Sequence, residues 1–216
     1  MSKKENFRLI VLSSVDGFEH EIHHVQQMFE DGLELFHLRK PKFSTRRLRR
    51  YLEKIGSKYH ARIVIHSHHE LATRFKLRGI HFTHSHKKKN FLINWFRLRY
   101  IRMRTRDLTL STGFHTIAEL KDYNDKYDYV FLSPVFESIS KVGHSGKFNE
   151  DSLKEGLGKT SYEVIALGGI DEDKIEKAIE AGFSGVAVLG SIWKSKEPVE
   201  KFKRIQERCQ QLVKMQ

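Results

Sequence analysis

Short apolar runs alternate with amphipathic helical stretches eight times along this chain, and that alternation restricts the fold more than any other feature. The runs are Phe7–Leu12, Leu33–Leu38, Arg62–His66, Gly79–Phe82, Leu108–Thr112, Tyr129–Leu132, Tyr162–Leu167 and Gly185–Leu189. Each is too short for a helix and rich in Val, Ile, Leu or aromatic residues, the pattern of a strand buried on both faces. Between them, Phe18–Asp31 places Ile22, Val25, Met28 and Phe29 at helical spacing, with Gly32 as a stop. Ser44 reads as the N-cap of a helix with Leu48, Leu52 and Ile55 on one face and Gly56 near its end. Further helices are predicted over Glu70–Phe75, Ile117–Tyr123, Ser152–Leu157, Glu172–Ala181 and Val199–Met215. The stretch Asn90–Arg106 is ambiguous, read as a helix around Leu92–Trp95 and then a chain returning to the sheet.

Eight such units in 216 residues come close to the minimum length of an eightfold β/α barrel. The expected fold class is therefore α/β, a single (β/α)8 TIM barrel over residues 1–216. A Rossmann-like open sheet is the rival, but no G-x-G-x-x-G follows the first strand. Hydrophobic residues make up 39% of the chain, enough for a packed core, and the formal net charge of +12 favours anionic partners. The one cysteine, Cys209, excludes an intrachain disulfide and a Cys-rich zinc site. No apolar run approaches the ~20 residues of a membrane span, and the N-terminus lacks the apolar stretch of a signal peptide. A cytoplasmic protein without a membrane partner is expected. A homo-oligomer is compatible with the sequence, which specifies no oligomeric state.

In a β/α barrel the site lies at the C-terminal ends of the strands. Those ends deliver Arg39-Lys40-Pro41-Lys42, His66-Ser67-His68-His69, Thr83-His84-Ser85-His86, Gly113 and His115, Ser133 to Lys141, Gly168-Gly169-Ile170, and Gly190-Ser191. The glycine pair after the seventh strand and Gly190-Ser191 after the eighth let backbone N–H groups approach an anion closely, the expected phosphate corner. A phosphorylated small molecule is the expected ligand. Asp171 reads as a helix N-cap, and Trp95 and Trp193 as packing residues. The basic clusters Arg46-Arg47, Arg49-Arg50, Lys87-Lys88-Lys89 and Arg97 to Arg106 come without a nucleic-acid motif, so no nucleic-acid partner is assigned. His66, His68, His69, His84 and His86 converge on two neighbouring strand ends, but no H-E-x-x-H or matching carboxylate accompanies them, so no metal is assigned.

The segments VIALGGI (Val164 to Ile170), AGFSGVAVLGSIW (Ala181 to Trp193) and SPVFESISK (Ser133 to Lys141) resemble thiamine phosphate synthase and its TenI relatives. HLRK (His37 to Lys40), IVIH (Ile63 to His66), RGIHF (Arg78 to Phe82) and GFH (Gly113 to His115) fall in that family's order and spacing. The resemblance implies a thiazole-phosphate site at Gly169, Leu189 and Gly190, flanked by Gly168 and Ser191. It also implies substrate contacts from Ser138, Ser140 and Lys141, with Glu137 beside them, and an arginine after strand two at Arg39. The synthase joins a pyrimidine methyl diphosphate to a thiazole phosphate with Mg2+.

The departures concern the diphosphate half. The family's lysine after strand two falls on Pro41, between Lys40 and Lys42. Its Asn-Asp after strand three falls on His66-Ser67, and its aspartate after strand four on His86. The serine of its Ser-x-His falls on Gly113. Mg2+ prefers carboxylate oxygens, and both aspartates are missing. The resemblance therefore leans to the TenI branch, a thiazole tautomerase-type reaction without metal or other cofactor, although a histidine found in some TenI tautomerases falls on Pro134. Lys141, Arg39 and His115 are the expected catalytic groups, and Ser138, Ser140, Glu137 and His66 the expected substrate contacts. Two alternatives stay open: an active thiamine phosphate synthase, which needs Mg2+, and a non-catalytic phosphate-binding or regulatory protein.

Overall fold

The computed structural model describes residues 7–15, 17, 19–83, 108–121, 127–136 and 148–215. Eight parallel strands close into a barrel in chain order: β1 Arg8–Leu12, β2 Leu35–Leu38, β3 Ile63–Ile65, β4 Gly79–Phe82, β5 Thr109–Phe114, β6 Tyr129–Leu132, β7 Val164–Leu167 and β8 Gly185–Val188. The seam joins first to last, with Arg8 opposite Gly185 and Val11 opposite Val188. The predicted (β/α)8 barrel is the observed architecture. The strands carry apolar residues at consecutive positions because both faces are covered.

Alternation along each strand sorts these residues into two cores. Ile10, Leu12, Tyr129, Phe131, Ile165 and Ala187 pack together inside the barrel. Their neighbours, such as Val11, Phe36, Ile63, Val130 and Val186, face outward and pack with the helices, including Val25, Leu52 and Ile205. The helices are α1 Glu21–Glu30, α2 Thr45–Ile55, α3 Glu70–Arg74, α4 Glu150–Lys159, α5 Ile175–Ala181, α6 Gly190–Trp193 and α7 Pro198–Lys214. Ser44 caps α2 as predicted, its side chain accepting a hydrogen bond from the Arg47 N–H, and Gly56 ends the helix with φ 95°.

Three helical expectations change. The weak helix at Ser152–Leu157 is a ten-residue α4, because Asn149 caps it by accepting from the Asp151 and Ser152 N–H groups. The predicted Glu172–Ala181 helix opens as a 3-10 turn, Glu172–Lys174, before α5. Gly190-Ser191, where no helix is predicted, starts the short helix α6. Of the predicted Ile117–Tyr123 helix, a 3-10 turn over Ala118–Leu120 is described. The ambiguous Asn90–Arg106 stretch lies outside the described residues. Among the described residues, no helix is long and apolar enough to cross a membrane.

Candidate functional site

At the C-terminal rim, the β7 and β8 ends form one corner. Gly168 and Gly169 both take positive φ, 95° and 69°, conformations that side chains disfavour. The first has a second constraint: a Cβ on Gly168 would lie 2.9 Å from the Pro134 backbone. The turn is pinned to the end of β6 by hydrogen bonds from Val135 N–H to the Leu167 carbonyl (3.0 Å) and from Phe136 N–H to the Gly168 carbonyl (3.1 Å). Across from it, Leu189 leads into α6, and Trp193 ties that helix to β1 by donating from Nε1 to the Leu12 carbonyl at 2.6 Å. Trp193 is thus a packing residue, as expected.

Between these turns lies a cleft of about 500 Å³ lined by Gly168, Gly169, Leu189, Gly190, Ser191 and Arg39, among others. Every glycine and rim residue that the sequence assigned to phosphate lines it. The Ser191 hydroxyl is buried without a hydrogen-bond partner, a state that normally calls for a ligand or water. Two cations of the wall are already engaged: Lys201 binds Asp171 (2.6 Å) and Glu172 (2.9 Å), and Arg204 binds Glu172 (3.2 Å). The Lys201 hydrogen bond holds the Glu172 carboxyl below its ordinary range. Asp171 also caps the 3-10 turn by accepting from the Glu172 N–H, in line with its sequence reading. Arg39 reaches the cleft from β2, its backbone clasped by Ser13, whose Oγ accepts from the Arg39 N–H (2.8 Å) and donates to the Arg39 carbonyl (3.0 Å).

The opposite half of the barrel interior is polar. His37 from β2, His66 following β3 and His81 from β4 are all buried, and one ligand nitrogen of each lies within 4.8 Å of the others. His37 Nδ1 is 2.9 Å from His66 Nε2, and His37 Nε2 is 2.6 Å from the Tyr129 hydroxyl. His81 Nδ1 is 2.9 Å from Ser111 Oγ, and its ring stacks on His66 with centroids 4.1 Å apart. Burial, and then the neighbouring His81, hold the His37 imidazole well below its ordinary 6.5. Burial, His81, His37 and Arg39 do the same to His66. Burial raises the Tyr129 phenol. Burial therefore favours the neutral imidazole at His37 and His66.

The expected histidine convergence takes a different form. His66 joins the cluster. His68 turns to α2, within 2.8 Å of Thr45 Oγ1 and 2.9 Å of the Phe43 carbonyl, and His69 lies 3.2 Å from the His81 carbonyl. His84 and His86 lie outside the described residues. His37 and His81 escaped sequence reasoning because they sit inside apolar strands rather than after them. The available signal was parity: each is an inward position flanked by outward apolar residues, Phe36 and Leu38 for one, Ile80 and Phe82 for the other.

Lys40 offers no substitute for the lysine that falls on Pro41. It is buried, with Nζ paired to Glu21 and donating to the Ser14 carbonyl at 2.6 Å. Burial raises the Glu21 carboxyl despite that partner. His115 is exposed, with Nδ1 2.8 Å from the carbonyl of Ser133, a residue that lines the cleft. A carbonyl only accepts, so Nδ1 carries the proton. Glu137, Ser138, Ser140 and Lys141 lie outside the described residues.

Residues 8–192 match the thiamine monophosphate synthase (TMP-TENI) family. The chain belongs to this family. It is 25% identical to thiamine-phosphate synthase of Anoxybacillus flavithermus, across 96% of this chain and 95% of that protein. A thiamine phosphate pyrophosphorylase structure from Bacteroides thetaiotaomicron superposes with TM-score 0.75 at 29% identity, covering 94% of this chain and 98% of that one. Another from Pyrococcus furiosus reaches TM-score 0.75 at 14% identity, a likeness of fold. The Mg2+ associated with the synthase reaction does not fit the residues described at the β3 end. His66 and Ser67 present imidazole and hydroxyl where Mg2+ favours carboxylate. The next acid, Glu70, is exposed and 3.8 Å from His68.

Proposed function

We propose that the chain binds a thiazole phosphate in the β7–β8 cleft and shifts a proton on it, as a TenI-type thiazole tautomerase. The observation that carries this reading is the contrast across the rim. The cleft keeps its positive-φ glycines and an unpartnered buried Ser191 hydroxyl, while the β3 end offers neutral histidine and serine in place of acid. In this reading backbone N–H groups at Gly169 and Gly190 and the Ser191 hydroxyl hold the phosphate, and Arg39 supplies opposite charge. Moving a double bond requires a proton to leave one atom and return to another, which a side-chain base serves. His115 fits that role by tautomer: with its Nδ1 proton held by the Ser133 carbonyl, Nε2 is the basic atom. Lys141, Ser138, Ser140 and Glu137, in the stretch after β6, complete the substrate contacts. The reaction takes neither metal nor cofactor.

The names of the relatives favour a second reading, an active thiamine phosphate synthase. A paired assay separates the two. The purified protein is given a carboxylated thiazole phosphate alone, or thiazole phosphate with pyrimidine methyl diphosphate and Mg2+. Isomerisation in the first, lost in His115→Ala, is expected. Robust Mg2+-dependent thiamine phosphate formation in the second establishes the synthase instead. Binding of thiazole phosphate without turnover in either mixture identifies a non-catalytic pocket.

A further inference from the structure

We propose that His37, His66 and His81 form a binding site for a borderline transition-metal ion, with Zn2+ the type case, inside the polar half of the barrel. Three imidazole nitrogens within 4.8 Å of one another are the donor set of a three-histidine zinc centre, which leaves a fourth position open. Zn–N bonds of about 2.0–2.1 Å at tetrahedral angles put ligand nitrogens roughly 3.3 Å apart. His37 Nδ1 and His66 Nε2, at 2.9 Å, are slightly closer than that and need to part by only about 0.4 Å. The stacked His81 ring has to close the remaining gap, at most about 1.5 Å by the same geometry.

The outer atoms support the assignment. Metal-binding histidines characteristically fix their second ring nitrogen with another polar group. Here His37 Nε2 is held by the Tyr129 hydroxyl and His81 Nδ1 by Ser111 Oγ. One tautomer change suffices for binding. The proton shared between His37 Nδ1 and His66 Nε2 moves to the far nitrogen of its own ring: on His37 it then points to the Tyr129 oxygen. That change moves one proton within one ring, so the His37–His66 pair gains and loses none.

Charge sets the remaining coordination. Three neutral ligands leave the ion with its full double charge in a buried place, with Arg39 among the groups acting on His66. An anionic fourth ligand, hydroxide or a carboxylate or phosphate oxygen, balances it. The donor set also selects the ion: imidazole suits Zn2+, Ni2+ and Cu2+, and Mg2+ prefers oxygen. The proposal is independent of whether the cleft serves a tautomerase or a synthase.

The test uses full-length protein stripped with chelator. Calorimetric titration with Zn2+ is expected to give one site per chain, weakened by about 100-fold or more in His81→Asn and unchanged in His68→Asn. His68 faces α2, so it controls for adventitious binding at surface histidines. Equal Zn2+ affinity in wild type and His81→Asn, or no stoichiometric site, overturns the proposal. If His81→Asn does not fold, Cu2+-loaded wild type is read by electron paramagnetic resonance. Three coordinated imidazole nitrogens sustain the site, and fewer overturn it.

Discussion

The β7–β8 corner and the β2–β5 half of the barrel face each other across one lumen and follow opposite rules. The corner is built from what is absent: side chains are missing at Gly168, Gly169 and Gly190, so main chain can approach a ligand. The β2–β5 half is built from what is buried: His37, His66, His81 and Ser111, with Tyr129 reaching in from β6 and Lys40 paired to Glu21 at its edge. The family resemblance holds at the glycine turns and lapses at the β3 end, where imidazole and hydroxyl stand in place of acid.

The largest effect that sharpens this contrast is expected at Lys40. Its family neighbour position suggests substrate, but the structure gives it to Glu21. Lys40→Ala leaves a buried carboxylate without its cation and is expected to cost about 3 kcal/mol. Urea unfolding of wild type and variant measures it, with thiazole-phosphate affinity expected to stay the same. A stability change under about 1 kcal/mol together with weakened binding would return Lys40 to the ligand site.

Gly168→Ala tests the corner. A Cβ at φ 95° and 2.9 Å from Pro134 is expected to cost about 2 kcal/mol through strain and crowding. A variant as stable as wild type in the same unfolding experiment would show that the turn tolerates a side chain and that its glycine is not demanded by geometry.

Acid should distinguish the two regions next. His37 and His66 are held below 6.5 in the folded chain, so the unfolded chain binds more protons below that pH. Stability is expected to be full above pH 6.5 and to fall as pH drops through the window down to the depressed values. The slope is about 1.4 kcal/mol per pH unit for each histidine. Unfolding free energies from pH 8 to 5 check the sign, and His37→Gln should flatten the curve. A wild-type stability that rises on acidification contradicts the burial of neutral His37 and His66.

The smallest effect is at Ser191. Replacing an unpartnered buried hydroxyl by Ser191→Ala should leave stability unchanged or slightly higher. Phosphate-ligand affinity should fall roughly 3- to 10-fold, the net value of a hydrogen bond. Calorimetry with thiazole phosphate reads this directly, and identical affinity would move the hydroxyl out of the ligand's reach.

Most of the barrel was legible because a strand covered on both faces writes itself as an unbroken apolar run. Tyr129–Leu132 and Gly79–Phe82 were placed to the residue, and Ser44 announced α2. What escaped was set by partners distant in sequence. Asn149 lengthens α4 through a cap three residues before the expected start, and Gly190-Ser191 becomes a helix because Trp193 anchors it to Leu12. The β7–β8 corner could be read from glycine spacing, since backbone demands leave a sequence trace. The histidine cluster could not be read from residues after the strands, because strand parity and barrel closure, rather than loop proximity, bring His37 and His81 together.

The bond from Trp193 to Leu12 spans 181 residues, and it has a temporal meaning. During synthesis at about 5–20 residues per second, β1 must wait roughly 10–40 s for its partner at the other end of the chain to leave the ribosome. Until then its seam edge is unpaired and the β7–β8 cleft lacks a wall. A ligand of that cleft is therefore expected to bind only the finished barrel, so an affinity measurement on nascent or truncated chains would report completion of the polypeptide rather than a gradual gain of site.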